Sequence, residues 1–244
     1  MLFQLMAFVA AAIAGAVASI AGFGIGSILT PLLAIRLGTK LAVAGVSFPH
    51  LAGTLLRFWF IRKHVDRRVL LTFGITSAAG GLAGALLHVW FKSAVLGYVL
   101  GALLVFAGVM GLPGLTARMR FGRRTGLIAG ALSGAFGGLV GNQGGIRSAA
   151  LMGFDLSKEA FVATATAIAL LVDIFRMPVY IASQWGDLLH TWPLVVIAAL
   201  GVLAGTIFGQ PLLRRIPERI FRAVVSCIIL ALGIAMLLHP GGHD

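Results

Sequence analysis

This chain is short of acid, of cysteine and of any hydrophilic stretch long enough to fold by itself. Seven Asp and Glu stand against 19 Lys and Arg, a formal charge of +12. The one cysteine, Cys227, lies in an apolar run, which excludes an internal disulfide and a cysteine-based metal site. No His/Glu/Cys group has metal-ligand spacing, no phosphate-binding P-loop is present and no Ser-His-Asp neighbours are evident. Neither metal nor cofactor is expected, and the chain is not read as an enzyme. The start has no basic n-region and no clear cleavage site, so no removable signal peptide is expected.

What the chain has is hydrocarbon. It is 59% hydrophobic and 11% charged, with a mean hydropathy of +1.04. The runs Leu70 to Leu87, Ala94 to Ala117, Leu194 to Leu213 and Ala223 to Leu238 carry no charge and have the length of membrane helices. The expected fold class is an all-α polytopic membrane protein in a cell (inner or plasma) membrane, with the lipid bilayer as its surroundings. A charge of +12 in a soluble protein would suggest nucleic acid. Here the basic residues fall in short loops, where topology accounts for them, and no nucleic-acid partner is expected. A homodimer is left open.

Two apolar segments have the wrong length for one crossing. Met1 to Ile35 contains no charged side chain, and its 35 residues would run roughly 50 Å as a straight helix, against about 30 Å of bilayer hydrocarbon. It is interrupted at Gly22-Phe23-Gly24-Ile25-Gly26, with Pro31 just beyond. A similar segment, Thr125 to Phe154, is interrupted around Gly137-Gly138-Leu139-Val140-Gly141-Asn142-Gln143-Gly144-Gly145. Apolar stretches broken by glycine read as discontinuous helices or re-entrant hairpins, from which transporters build substrate sites.

The breaks belong to a repeat. Ile13-Ala14-Gly15-Ala16 recurs as Ile128-Ala129-Gly130-Ala131, Gly22 matches Gly141, Gly26 matches Gly145 and Arg57 falls on Arg176. After a shift of two residues, Asp66 falls on Asp187 and Gly80-x-x-x-Gly84 on Gly201-x-x-x-Gly205. The halves are therefore 1–117 and 118–244, together one membrane domain. Each is a glycine-broken segment followed by three helices. The expected helices are Leu41–Ile61, Val69–Trp90 and Ser93–Ala117, then Ala160–Ser183, Leu188–Leu213 and Ile220–Leu238. The small-residue spacings at Gly80/Gly84 and Gly201/Gly205/Gly209 read as helix-packing surfaces.

Charge decides whether the broken segments cross or turn back. If they are hairpins, 14 basic residues share one face: Arg57, Arg62, Lys63, Arg67, Arg68, Arg118, Arg120, Arg123, Arg124, Lys158, Arg214, Arg215, Arg219 and Arg222. The other face keeps Arg36, Lys40 and Lys92. If the segments cross, the split is 9 to 8, no bias at all. The positive-inside rule selects the hairpins, two inverted repeats and both termini outside.

At a hairpin tip free N–H groups must find partners that lipid does not supply. Each arm leaving a tip presents a helix N-terminus with roughly half a positive elementary charge. Two tips meeting near the midplane would favour an anion. Backbone N–H groups at Gly24, Gly26, Gly144 and Gly145 would reach it, since no side chain holds it off. Arg147 is the most specific residue: it follows the second break, deep in an apolar segment, where an arginine costs about 2.5–3.5 kcal/mol. A bound anion offsets that cost; a structural ion pair, or snorkelling from a shallower hairpin, would too. Asn142 and Gln143 offer amide donors or stabilise the tip, and Ser27 touches substrate or caps its arm. Arg57 and Arg176 hold matched positions near helix ends, for substrate entry or gating, or merely snorkelling. Asp173 and Arg176 share a helical face three residues apart. Asp173 and His50 are candidates for gating or proton coupling, with a structural ion pair and a packed histidine as the alternatives.

The first break with Pro31 and the entry Leu41-Ala42-Val43-Ala44 resembles the first repeat of the TauE/SafE family of membrane transporters. In the second half, Gly141 to Gly145, Leu151-Met152-Gly153-Phe154, Ser157-Lys158-Glu159-Ala160 and Ala163-Thr164-Ala165-Thr166 follow a similar order. The resemblance covers nearly the whole chain and rests on the paired order of its motifs. It implies export of sulfite, organosulfonates such as sulfoacetate, and related small anions. The family pattern carries a proline about where Ala150 stands and lacks a basic residue like Arg147.

The expectation is thus a transporter, an exporter by family, of a small anion such as sulfite or an organosulfonate, working by alternating access around two hairpin tips. An anion channel, or a transporter of a small carboxylate without sulfur, would use the same features. An intramembrane enzyme or a non-transporting scaffold subunit fits them less well.

Overall fold

A computed structural model describes residues 2–112, 123–209 and 216–240. The boundary between the halves, the helix ends expected at 113–117 and 210–213, and Arg118, Arg120, Arg214 and Arg215 lie outside the described residues.

Every regular element among the described residues is a helix. In chain order these are α1 (Leu2–Ala21), α2 (Ile25–Ile61), α3 (Arg67–Trp90), α4 (Ser93–Gly111), α5 (Arg123–Val140), α6 (Gly144–Leu151), α7 (Lys158–Gly209) and α8 (Glu218–Leu238). Among the described residues, six stretches are long and apolar enough to cross a membrane. Large apolar side chains such as Leu86, Phe106 and Phe208 point outward, as they should where the solvent is lipid.

Two of the long helices are not single rods. α7 has 52 residues, roughly 78 Å at 1.5 Å per residue, more than twice a bilayer's hydrocarbon. It turns at Gln184, the one residue inside it with non-helical angles (φ −136°, ψ 21°). Before the turn it runs antiparallel to residues 39–61, pairing His50 with Asp173 and Arg57 with Thr166. After it, the chain runs parallel to them, Gly45 facing Val195 and Gly53 facing Val202. α2 turns likewise at Gly38 (φ 72°), a positive angle that glycine adopts without a Cβ clash. Residues 25–37 thus form a short arm, and Ile25 lies back against Gly53.

The glycine breaks end helices by a specific geometry. Gly22 (φ 79°) and Gly141 (φ 71°) both take left-handed angles, and their N–H groups donate to Ala18 and Gly137 four residues back. That is the left-handed C-terminal cap available to glycine. Three residues later, in both halves, a new helix begins: α2 at Ile25 and α6 at Gly144.

Each broken segment folds back to the end from which it came. The Arg36 guanidinium lies 4.4 Å from the centre of the Phe3 ring, so the start of α1 and the end of its arm share one end of the molecule. Lys40 Nζ donates to Val89 there, and Thr39 Oγ1 to Pro240. In the second half Gly126 meets Phe154, and a cavity of about 590 Å³ lined by Asp66, Arg68, Gly126 and Asp155 joins that end to the loop after residue 61. The two folded-back segments therefore open toward opposite ends of the molecule.

Glycine spacings fix how the limbs dock. Gly201, Gly205 and Gly209 lie against Phe8, Ala12 and Ala16 of α1, and Gly80 and Gly84 against Ala131 and Ala135 of α5. In both cases the numbers rise together, so each limb runs parallel to a helix of the other half. A Cβ at Gly205 would sit 1.8 Å from the Ala12 carbonyl oxygen, and one at Gly84 2.0 Å from that of Ala135. Without a hydrophobic drive between helices in lipid, such close backbone contact supplies the association.

Candidate functional site

The two breaks, 119 residues apart by register, touch each other. A Cβ on Gly26 would lie 2.3 Å from the Gly141 carbonyl oxygen, and one on Gly144 2.4 Å from Phe23. Ser27 Oγ donates to Asn142 Oδ1 across the junction (3.2 Å), and Arg147 Nη2 donates to the Gly22 carbonyl (3.1 Å). Neither Gly24 nor Gln143, the residues that precede the two arms, caps its helix with a side chain. The first-turn N–H groups of both arms, those of Gly26 and Gly145 included, have no acceptor inside their own helices.

Around this junction stand all the buried charged side chains among the described residues: Arg57 (4% exposed), Arg147 (1%), Arg176 (1%) and Asp173 (0%), with His50 beside them. Asp173 Oδ1 takes Arg176 Nε at 2.9 Å and Nη2 at 2.8 Å, and Oδ2 takes His50 Nδ1 at 2.6 Å. Arg57 Nε donates to Thr166 Oγ1 at 2.9 Å. The charges of Arg57, Arg176 and Asp173 all act on Arg147. Three guanidinium groups face one carboxylate, leaving two positive charges when His50 is neutral.

These groups are also short of partners. Arg147 makes one side-chain hydrogen bond, and its Nε and Nη1 reach no protein acceptor; nor does Arg57 Nη1, and the Gln143 amide has a protein partner neither for its Nε2 nor for its Oε1. The hydroxyls of Thr30 and Thr54 are buried without protein partners too. Thr30 Oγ1 and Arg176 Nη1 each lie 3.7 Å from the position of a Cβ on Gly141, so they converge on the second break. A buried donor left unsatisfied costs about 1–3 kcal/mol, more if charged. An acceptor-rich, negatively charged group would satisfy the unpaired donors.

The limb preceding the second break is held by three side chains. Arg176 Nη1 donates to the Gly137 carbonyl (2.5 Å), the Tyr180 hydroxyl to that of Gly138, and His88 Nδ1 lies 2.8 Å from that of Leu139. These are carbonyls of the last turn of α5; the Gly141 N–H already takes that of Gly137, while the helix leaves those of Gly138 and Leu139 unpaired. Pinning them offsets the negative end of that helix beside the cationic cluster.

Every residue singled out from the sequence lies at or beside this junction, with two changes of role. Arg57 does not belong with the loop bases: it lies four residues before the end of its helix, buried, and turns inward to Thr166. The charge count without it is still 13 against 3. Asp173 and His50, candidates for separate reasons, are direct partners. Tyr180, His88, Thr30 and Thr166 were not picked out. Tyr180 stands four residues after Arg176 on the same helical face, a spacing that would have revealed it. The others look like ordinary polar residues in apolar helices until the second half is docked.

No metal-binding group of three or more His, Cys, Asp or Glu occurs among the described residues. Neither a curated protein nor a solved structure matches the chain. The sulfite exporter TauE/SafE family matches residues 7–236, and with almost the whole length covered the chain belongs to that family of membrane transporters.

Proposed function

We propose that the protein carries a small oxyanion of the sulfite or organosulfonate class out of the cell by alternating access at the junction of its two glycine breaks. The observation that carries this reading is the surplus of buried arginine: three guanidiniums against one carboxylate, with Arg147 Nε and Nη1 and Arg57 Nη1 unpaired. An anion relieves both the repulsion and the missing hydrogen bonds. Arg147, Asn142, Gln143 and Ser27 contact it, the arms at Gly24, Gly26, Gly144 and Gly145 supply backbone N–H groups, and Arg57 and Arg176 complete its surroundings or gate its entry.

The halves act as an inverted pair. Support comes from the opposite openings of the two folded-back segments and from the parallel docking of each limb on the other half. The basic end around residues 62–68 faces the cytoplasm, which puts both termini outside.

The test is a binding screen of purified protein against sulfite, sulfate, sulfoacetate, taurine and carboxylate controls, repeated with Arg147→Ala. Sulfur oxyanions should bind best, and the variant should lose that binding. If sulfonates bind no better than carboxylates, the sulfur assignment falls. Countertransport in proteoliposomes, with saturation at low substrate, separates a carrier from an anion channel.

A further inference from the structure

We infer that His50 and Asp173 bind a proton together with the anion, so that the two are carried in the same direction. This rests on the anion-site reading above. His50 is the midpoint of residues 39–61, about 16 Å from either end of that helix. Its side chain is 10% exposed while that of Asp173 is fully buried, which makes His50 the member of the pair that water reaches. The charged groups facing it are Asp173 and Arg176 from α7 and Arg57 from its own helix; the same three surround Arg147 of α6.

Asp173 already accepts from Arg176, so it is the acceptor for His50 too, and Nδ1 of the imidazole carries the hydrogen. That leaves the Nε2 lone pair to take the proton. With His50 neutral, the cluster carries two net positive charges; with His50 protonated it carries three. A third positive charge among three arginines is disfavoured until an anion arrives, and the anion is held more tightly once the charge is there. The coupling is reciprocal by thermodynamic necessity. The same proton has a structural path to the break: His50 holds Asp173, Asp173 holds Arg176, and Arg176 holds the Gly137 carbonyl. Transfer of the hydrogen bond balance along this chain changes how the second limb is pinned.

The experiment uses methanesulfonate, a monoanion whose own charge does not change between pH 6 and pH 8, with the purified full-length protein. Binding to the wild type should be on the order of tenfold tighter at pH 6 than at pH 8. In proteoliposomes, methanesulfonate uptake should acidify the lumen. His50→Gln should bind with an affinity that no longer follows pH, and Asp173→Asn gives a second reading should the first variant not fold. Equal wild-type affinity at the two pH values, or a wild-type pH profile in His50→Gln, overturns the inference and leaves the anion site standing. No binding at either pH overturns the anion site, and the proton coupling with it.

Discussion

Replacing Arg147 with methionine separates a ligand-binding arginine from a structural one, because the two roles change stability in opposite directions. Methionine keeps most of the length and apolar volume of the side chain. Without an anion, the substitution removes one charge-assisted hydrogen bond, to the Gly22 carbonyl, worth about 1.5–3 kcal/mol. It also removes two buried donors without protein partners, Nε and Nη1, each costing about 1–3 kcal/mol. It further removes one of the two surplus positive charges. These terms sum to between a loss of about 1 kcal/mol and a gain of about 4.5 kcal/mol, and the relieved repulsion shifts the balance toward the gain. With an anion bound, the variant forgoes at least one charge-assisted hydrogen bond, about 1.5–3 kcal/mol, or roughly 10- to 150-fold in affinity. Thermal unfolding of the purified protein with and without sulfite, and a titration of each form, measure both quantities. If Arg147→Met unfolds at a clearly lower temperature without ligand yet binds sulfite as the wild type does, Arg147 is a structural tie between the breaks and the reasoning fails.

Three further outcomes follow from the packing and the caps. Gly84→Ala and Gly205→Ala should each lower stability by about 1–3 kcal/mol, since a Cβ meets backbone at 2.0 and 1.8 Å; Gly186→Ala, with nothing within 4 Å, should be tolerated in the same unfolding assay. Tyr180→Phe leaves the Gly138 carbonyl unpaired in the protein interior and should cost about 1–3 kcal/mol; unchanged unfolding would show that the cap is dispensable. Single cysteines at Lys40 and Lys158 in a Cys227→Ser background should be labelled from opposite sides of the membrane. Labelling of both from one side would refute the hairpin arrangement.

Much of this architecture was legible because membrane insertion imposes strong local rules. An apolar run must be helical to satisfy its backbone in lipid, so composition alone supplied the helices. A run too long for one crossing must break, and glycine marks where. The offset between Gly22 and Gly141 in the sequence reappears as two left-handed residues with nearly equal φ, because only a residue without a Cβ closes that cap cheaply. Arg147 stood out for a related reason: a charge in hydrocarbon is too costly to be incidental.

What the chain's local pattern left undecided was contact between elements far apart in sequence. Arg57 looked like one more base at a helix end, since a guanidinium near an interface reaches water as readily as it turns inward. Its burial depends on Thr166, which lies 109 residues later. His50 and Asp173 showed no sequence relation, for they meet only when residues 39–61 lie antiparallel to residues 158–183. Packing of α7 and α3 on the second limb likewise brings Tyr180 and His88 to adjacent carbonyls. The sequence by itself determined which segments enter the membrane, where they break and that one arginine is out of place there. Tertiary structure alone decided which charges share one buried space and which protein hydrogen bonds they lack, because both depend on distances that pairing, and not the order of residues, creates.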